Sequence, residues 1–214
     1  AKIKYKIFLV DDSPTDIIEV KIQKLDINIH YIFRGKKLGR GTAVLEGISK
    51  AINTIYTDII IEMDGDLSHD PAELKHKIKK FKEQKLDMLI ASRYDKNSKI
   101  LNWPISRKIL SYISNTLAKI FLKIPVTDYT NGYRFYSKES AIHITNNCGK
   151  IGDGFIVLSE ILMELYYNDF KIGEDSTIFK NRKRGESNVN IKLILSSILG
   201  LLKLFFIKLR KYKK

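Results

Sequence analysis

Cysteine is almost missing from this chain: Cys148 stands alone, which excludes an intramolecular disulfide framework. Proline occurs four times and tryptophan once in 214 residues, so neither a proline-rich linker nor a collagen-like repeat is present. The first residues, Ala1 to Lys6, lack the apolar core of a signal peptide. Near the C-terminus the uncharged run Leu193 to Leu202 stops at Lys203, short of the roughly 18–20 residues that span a bilayer. Acidic residues are scarce beside basic ones: 24 against 38, a net +14 and a pI near 9.6. That imbalance points to polyanionic partners such as nucleic acid, anionic lipid headgroups or phosphorylated substrates. Compositional drift in a chain rich in Lys, Ile and Asn accounts for it equally well, so charge alone decides nothing. What is present, 44% hydrophobic residues in a chain of this length, suits one ordinary α/β domain.

Short apolar runs alternate with helix-like segments. Ile7 to Val10 reads as a buried strand ending at Asp11-Asp12, and Ser13 to Asp16 then supplies a turn and helix cap. Residues 28–33 form a second strand candidate. Gly35 to Gly41 reads as a flexible basic loop, with Thr42 capping a helix to about Ala51. Further strands are expected at 58–63, 87–91 and 133–136, with two short ones in 171–179. Helices are expected from Pro71 to Gln84, Pro104 to Leu122, Lys138 to Asn146, Phe155 to Tyr167 and Asn190 to Lys214. The alternation predicts a mostly parallel sheet flanked by helices, whose ligands bind at the carboxyl ends of the strands.

Three of those strands end in acidic or phosphate-friendly residues: Asp11-Asp12, Asp64-Gly65-Asp66 and Ser92-Arg93. If Asp64 and Asp66 lie in extended backbone, residues two apart face one side and the carboxylates converge. Two like charges held so close repel unless a cation lies between them. Hard divalent cations take oxygen ligands, and Mg²⁺ commonly binds one or two carboxylates together with substrate phosphates. The plainer reading is a loop in which Asp66 and Asp70 cap the Pro71 helix. Arg107, Ser111 and Asn115 are spaced by four, so they share one helix face, suited to phosphate or simply to solvent.

The stretch from Ile61 to Pro71, Ile-Glu-Met-Asp-Gly-Asp-Leu-Ser-His-Asp-Pro, resembles the signature of polyprenyl-phosphate (dolichyl-phosphate) mannose synthases, members of glycosyltransferase family 2 with the GT-A fold. Other blocks follow in that family's order: Val10 to Asp16, Lys37 to Ala43, Ser92-Arg93-Tyr94, Trp103 to Arg107 with Ser111, Asp128 to Tyr136, and Arg182 to Ser187. The likeness covers essentially the whole chain.

The resemblance implies that Asp11 and Asp12 face the nucleotide and that Asp64 and Asp66 hold Mg²⁺ or Mn²⁺ against the diphosphate of a nucleotide sugar. It makes Asp66, Arg93 and Arg107 catalytic, puts Arg93, Arg107 and Ser111 at the acceptor phosphate, and brings Arg182 to the donor diphosphate. Asp128, Thr130, Arg134 and Glu160 then belong to the sugar-side pocket. Ser68 stands where some members carry a Gln metal ligand, Leu158 where many have Gln, and Asn188 where the family has Lys. The implied reaction is inverting transfer of a hexose, mannose from GDP-mannose, to a polyprenyl phosphate. A phosphate monoester is already anionic at neutral pH, so no general base is needed. Rival expectations are a same-fold transferase using UDP-glucose or a UDP-N-acetylhexosamine, and an inactive membrane-associated relative. A nucleic-acid binder would need aromatics interleaved with a basic face or a reading motif, and neither is found.

The expected organisation is a glycosyltransferase domain over residues 1–189 and an amphipathic helix with a basic tail over 190–214. Lys192, Ser196, Gly200, Lys203, Arg210 and Lys214 fall on one stripe of that helix. This fits an interfacial helix on the cytoplasmic face of a membrane, or one packed on the domain or on a small membrane subunit. The family's opening strand, with its Pro-x-Tyr-Asn-Glu-like segment, has no counterpart before Asp11. The expectation is a fragment, or a truncated and inactive chain, with backbone groups of the sheet left unpaired.

Overall fold

The computed structural model describes residues 4–25, 27–181 and 191–212. Its elements run β1 (Ile7–Asp11), α1 (Ile17–Ile22), β2 (Ile29–Phe33), α2 (Arg40–Thr54), β3 (Ile59–Glu62), a 3₁₀ turn (Pro71–Glu73) leading into α3 (Leu74–Glu83), then β4 (Met88–Ser92). They continue β5 (Lys99–Leu101), α4 (Ile105–Leu122), β6 (Arg134–Ser137), α5 (Lys138–Asn147), α6 (Ile156–Tyr167), β7 (Ile172–Ser176), β8 (Ile178–Lys180) and α7 (Ile191–Lys211). The central sheet has the order β3-β6-β4-β7, with β6 antiparallel to both neighbours and β4 parallel to β7. Two parallel pairs, β1 with β2 and β5 with β8, complete the α/β architecture.

Strand β4 shows why the sheet forms where it does. All five of its residues are buried, as a central strand covered on both faces requires. Met88 and Ile90 join one core with Ile60, Tyr136, Leu122 and the apolar face of α6. Leu89 and Ala91, pointing the other way, join Phe81, Leu86 and Phe135 beneath α3. Each such fully buried side chain contributes about 1.5–3 kcal/mol. Helix α6 lies inside the molecule, with every residue from Ile156 to Leu165 buried. Pro71 occupies the first turn before α3 as expected, and the Asp70 side chain caps it by accepting from the Ala72 N–H at 3.0 Å.

Among the described residues β1 pairs only with β2 and β3 only with β6, so each keeps one edge without a ladder partner. Helix α2 packs against both strands and bridges that break. It starts earlier than expected, at Arg40, because Gly39 (φ +99°) is its N-cap; a Cβ there would lie 2.5 Å from the Asp153 carbonyl oxygen. Thr42 does not cap it; its hydroxyl donates back to the Leu38 and Gly39 carbonyls.

Helix α7 packs on α4 and α6. Leu201, Leu204 and Lys208 turn inward, and so does Gly200, whose missing Cβ makes room for Ile156. Gly200 therefore departs from the polar stripe expected of it. Phe205 meets Phe121 of α4 edge to face, and the Lys208 ammonium donates to the Phe121 carbonyl at 3.1 Å. Among the described residues no helix is long and apolar enough to cross a membrane.

Candidate active site

Strand β3 ends at Glu62, so Asp64 and Asp66 lie beyond it in a turn, and the alternation expected of extended backbone does not apply to them. Asp64 turns toward α2: its Oδ1 accepts from Arg40 Nη2 at 2.8 Å and from Nε at 3.2 Å. Asp66 turns along the loop, its Oδ1 accepting from the Ser68 N–H at 3.0 Å and the Ser68 hydroxyl at 2.5 Å. Arg40 Nη2 also donates to Glu62 at 2.9 Å, and the other Glu62 oxygen accepts from the Tyr136 hydroxyl at 2.8 Å. Burial alone would lower the Arg40 pKa, yet Asp64 and Glu62 outweigh it and raise it. A Cβ at Gly132 would overlap Arg40 Nη2, so this glycine is what lets the guanidinium reach both carboxylates. Among the described residues, the buried Arg40 Nη1 has no hydrogen-bond partner.

His69 fastens the turn. Its Nδ1 accepts from the Asp64 N–H at 3.0 Å, which leaves the ring proton on Nε2 to be donated to Asn131 Oδ1 at 3.1 Å. Burial holds the ring below the usual histidine range, aided by Arg40 and opposed by Asp64 and the Asn131 bond. With both nitrogens engaged and Tyr133 stacked at 5.0 Å, His69 is a positioning residue for the Asp64 turn. Asn131 also donates to the Ala91 carbonyl at the end of β4, so it joins the carboxylate turn to the next strand end.

On the other side of Asn131 lies the group expected around an acceptor phosphate. Arg93 and Arg107 are brought together around Trp103, the guanidinium of Arg107 4.2 Å from the indole centroid and that of Arg93 5.5 Å, and Ser111 is linked to Arg93 through Tyr94. Arg107 Nη1 donates to Asn181 Oδ1 at 2.9 Å, and Ser111 Oγ accepts from the Tyr94 hydroxyl at 2.7 Å. Arg93 is itself held from within the protein. Its Nε and Nη2 form a fork onto Asp128 at 2.8 Å each, and Nη2 donates as well to Thr130 at 2.6 Å. Burial alone would lower the Arg93 pKa and raise that of Asp128, but their mutual attraction wins in both directions.

The expected sugar-side residues are likewise engaged within the protein. Asp128 and Arg134 have no exposed surface. Arg134 donates to the carbonyls of Asn131, Leu158 and Tyr129 at 2.8–2.9 Å. Glu160 accepts the Gly149 and Lys150 N–H groups at 3.0 and 3.2 Å, and burial raises its pKa. Asp128, Arg134 and Glu160 therefore shape the block from Tyr129 to Tyr133 and the loop before α6, because every one of these buried polar groups needs an internal partner. Thr130, half-buried, is the member of this group nearest the surface.

Asp11 and Asp12 stand at the carboxyl end of β1. Asp11 accepts from Tyr31 at 2.7 Å and from the Ser13 N–H at 2.8 Å. Burial pushes its carboxyl up, but those bonds hold it below the ordinary range. Asp12 pairs with Arg34 at 2.6 Å and accepts from the Gly39 N–H at 3.1 Å, which fixes the loop feeding Arg40 into the site. Arg182 lies outside the described residues.

Among the described residues no cluster of three or more His, Cys, Asp or Glu side chains is placed to hold a metal ion. The donor set at the turn, two carboxylates with Asp64 about one-third exposed, nonetheless fits a hard divalent cation that completes its shell from diphosphate oxygens and water. Sequence reasoning missed Arg40 and Tyr94. Arg40 read as one more charge in a basic loop; the signal was the glycine on either side of it.

The strand order, the acidic turn at a strand's carboxyl end and the flanking arginines define an α/β enzyme of the nucleotide-sugar glycosyltransferase type, with the GT-A fold. The model of glycosyl transferase family 2 matches residues 2–145, and the chain belongs to that family. It is 29% identical over 188 residues to a polyprenol monophosphomannose synthase of Mycolicibacterium smegmatis, covering 86% of this chain and 70% of that protein. It is 33% identical over 196 residues to a dolichol-phosphate mannosyltransferase of Pyrococcus furiosus, covering 90% of this chain but only 53% of the relative. In fold it is similar to the glucosyl-3-phosphoglycerate synthase of Mycobacterium tuberculosis crystallised with Mn²⁺, uridine diphosphate and phosphoglyceric acid. That likeness has a TM-score of 0.62 at 14% identity and covers 94% of this chain and 67% of the other.

Proposed function

We propose that this chain carries out inverting transfer of mannose from GDP-mannose to a polyprenyl phosphate, giving a β-linked polyprenyl-phosphate mannose. The observation that carries this reading is the acidic turn at the end of β3 lying beside two arginines: His69 of the turn and Trp103 both meet Phe179 edge to face, and Arg93 and Arg107 flank the indole. The polyprenol monophosphomannose synthase and the dolichol-phosphate mannosyltransferase named above support mannose as the sugar and a polyprenyl phosphate as the acceptor.

Asp64 and Asp66 would hold Mg²⁺ or Mn²⁺, which supplies charge neutralisation for the departing diphosphate. Arg40, with a buried donor to spare, supports the same charge from the protein side. Asp11 and Asp12 flank the nucleotide, with Arg182 completing the donor side. Arg107 and Ser111 receive the acceptor phosphate, and Arg93, clamped by Asp128, keeps Trp103 and Thr130 in place beneath it. A phosphate oxygen of the acceptor attacks the anomeric carbon as the bond to the nucleoside diphosphate breaks, and GDP leaves with that electron pair. The nucleophile arrives already ionised, so positioning and electrostatics suffice. A lipid acceptor supports membrane association, here read as peripheral at the cytoplasmic face.

The test is transfer of radiolabelled sugar from GDP-mannose, UDP-glucose and a UDP-N-acetylhexosamine to a polyprenyl phosphate. Lipid-linked mannose is expected from GDP-mannose only, with loss of product in Asp66→Asn and after chelation. Transfer from a UDP-sugar instead would replace the donor assignment. No transfer from any donor would leave an inactive relative.

A further inference from the structure

Between β7 and β8 the chain is fastened to the 3₁₀ turn and α3 by charged groups that take no part in the site. Lys77, buried on α3, donates to Asp175 Oδ2 at 3.1 Å and to the Ser176 carbonyl at 2.5 Å, and its ammonium lies 3.3 Å from Glu73 Oε2. Glu73 in turn accepts from the Thr177 hydroxyl at 2.7 Å and from the Ile178 N–H at 2.9 Å. A buried ammonium is costly unless it is paired. These pairs grip consecutive residues from Asp175 to Ile178 and so fix the register in which β8 begins. From there β8 reaches both halves of the site, because successive N–H groups of an extended segment point to opposite edges. The Lys180 N–H donates to the Ser68 carbonyl at 3.2 Å, and Ser68 is the residue that holds Asp66. The Lys180 ammonium adds a bond to Asp70 at 3.1 Å. The Asn181 N–H donates the other way, at 3.1 Å, to the carbonyl of Leu101, two residues before Trp103, and Asn181 Oδ1 accepts from Arg107.

We propose that β8 is a spacer that sets Arg107 and Trp103 at a fixed distance from the acidic turn, with Glu73 and Asn181 as positioning residues at its two ends. Neither touches the reacting atoms. Glu73 decides where the strand starts, since a slip of one residue would turn every group of β8 to the wrong side. Asn181 decides where the guanidinium of Arg107 is aimed. Phe179 fills the space between the two ends, edge to face with His69 at 5.4 Å and with Trp103 at 5.2 Å, so the spacer is packed as well as hydrogen-bonded. The inference rests on the reading of Arg107 as the group that receives the acceptor phosphate. In a displacement that needs no general base, the separation of the attacking phosphate from the departing diphosphate is what the protein has to supply.

The experiment joins transfer kinetics to calorimetric titration of the donor-free chain with farnesyl phosphate, a short polyprenyl phosphate. Asn181→Ala should weaken farnesyl phosphate binding and raise the acceptor KM by about tenfold, as for one hydrogen bond to a charged group, with the KM for the sugar donor unchanged. Glu73→Ala, which releases the start of β8, should lower kcat/KM for the acceptor by about a hundredfold. Glu73→Gln keeps an oxygen for the Ile178 N–H and should recover most of that loss. The two alanine substitutions together should fall short of the product of their single effects, because both act through one strand. Lys79→Ala, on the exposed side of α3, should change nothing, and melting curves establish that every variant is folded. Variants that lose melting temperature yet keep the acceptor KM and the farnesyl phosphate affinity, or a double variant whose losses multiply in full, would overturn the spacer. Binding weakened in this order without transfer by any form leaves the spacer standing and removes the activity. Transfer with an undisturbed acceptor KM in both single variants does the reverse, and an unsubstituted chain that neither binds nor transfers removes both.

Discussion

The Asp128 carboxylate accepts five donations, from the Arg93 backbone N–H, its Nε and Nη2, and the N–H groups of Thr130 and Asn131. With the pair removed from water, losing either charge strands the other. Asp128→Asn is therefore expected to cost about 3–5 kcal/mol of stability, read from urea denaturation, whatever it does to transfer. Gly132→Ala tests the carboxylate side. The added methyl must displace Arg40 from Glu62 and Asp64, so both melting temperature and transfer should fall, and the double variant Gly132→Ala, Arg40→Ala should cost less than the two separate effects combined. None of this was legible from neighbours along the chain. Arg93 and Asp128 are 35 residues apart, Arg40 and Asp64 are 24 apart, and a sequence offers a charged residue no sign of which opposite charge it will meet. The types of residue at the strand ends were readable; their pairings were not.

Elements with a strong pattern were readable because burial imposes it. The apolar run of β4 and the proline opening the turn before α3 both appear where the sequence places them. The three-residue strand β5 escaped, since it forms only by pairing with β8 across the chain. Helix α7 shows what an amphipathic stripe leaves open, for its apolar side both packs on α4 and α6 and faces outward. Its last turn is held by Glu164 of α6, which accepts from Lys211 at 2.8 and 3.0 Å and from the Tyr212 hydroxyl at 2.6 Å. Burial would raise the Glu164 pKa, but Lys211, Tyr212 and His143 lower it below the ordinary value. A lowered carboxylate pKa stabilises fully above the unfolded value of about 4.3 and ceases to do so as pH falls through the folded value. Protection from hydrogen exchange over the end of α7, relative to the intrinsic rate at each pH, should thus be high at neutral pH and fall below about pH 4, and Glu164→Gln should remove that step.

At the scale of the molecule, the donor-free protein meets its own electrostatic needs at the acidic turn. Arg40 neutralises Asp64 and Glu62, and Ser68 satisfies an oxygen of Asp66, so no ion is required for the turn to fold. A chelator is expected to abolish transfer while moving the melting temperature by no more than about 1 °C, whereas a structural metal would take several degrees with it. Calorimetry with and without chelator checks this. The fold class was legible at this scale because strand–helix alternation and six ordered blocks agree. The division of labour between residues that touch ligand and residues that hold others was not, since both kinds are polar and sit within the same blocks.

Trp103 is the lone indole of the chain; the guanidiniums of Arg107 and Arg93 lie 4.2 and 5.5 Å from its centroid, and among the described residues its buried Nε1–H has no hydrogen-bond partner. The protein thereby carries a built-in fluorophore beside Arg107. If Arg107 receives the acceptor phosphate as proposed, drawing it off the ring removes a cation from the excited indole, and emission alone should then follow occupancy, with no dye, label or radioisotope.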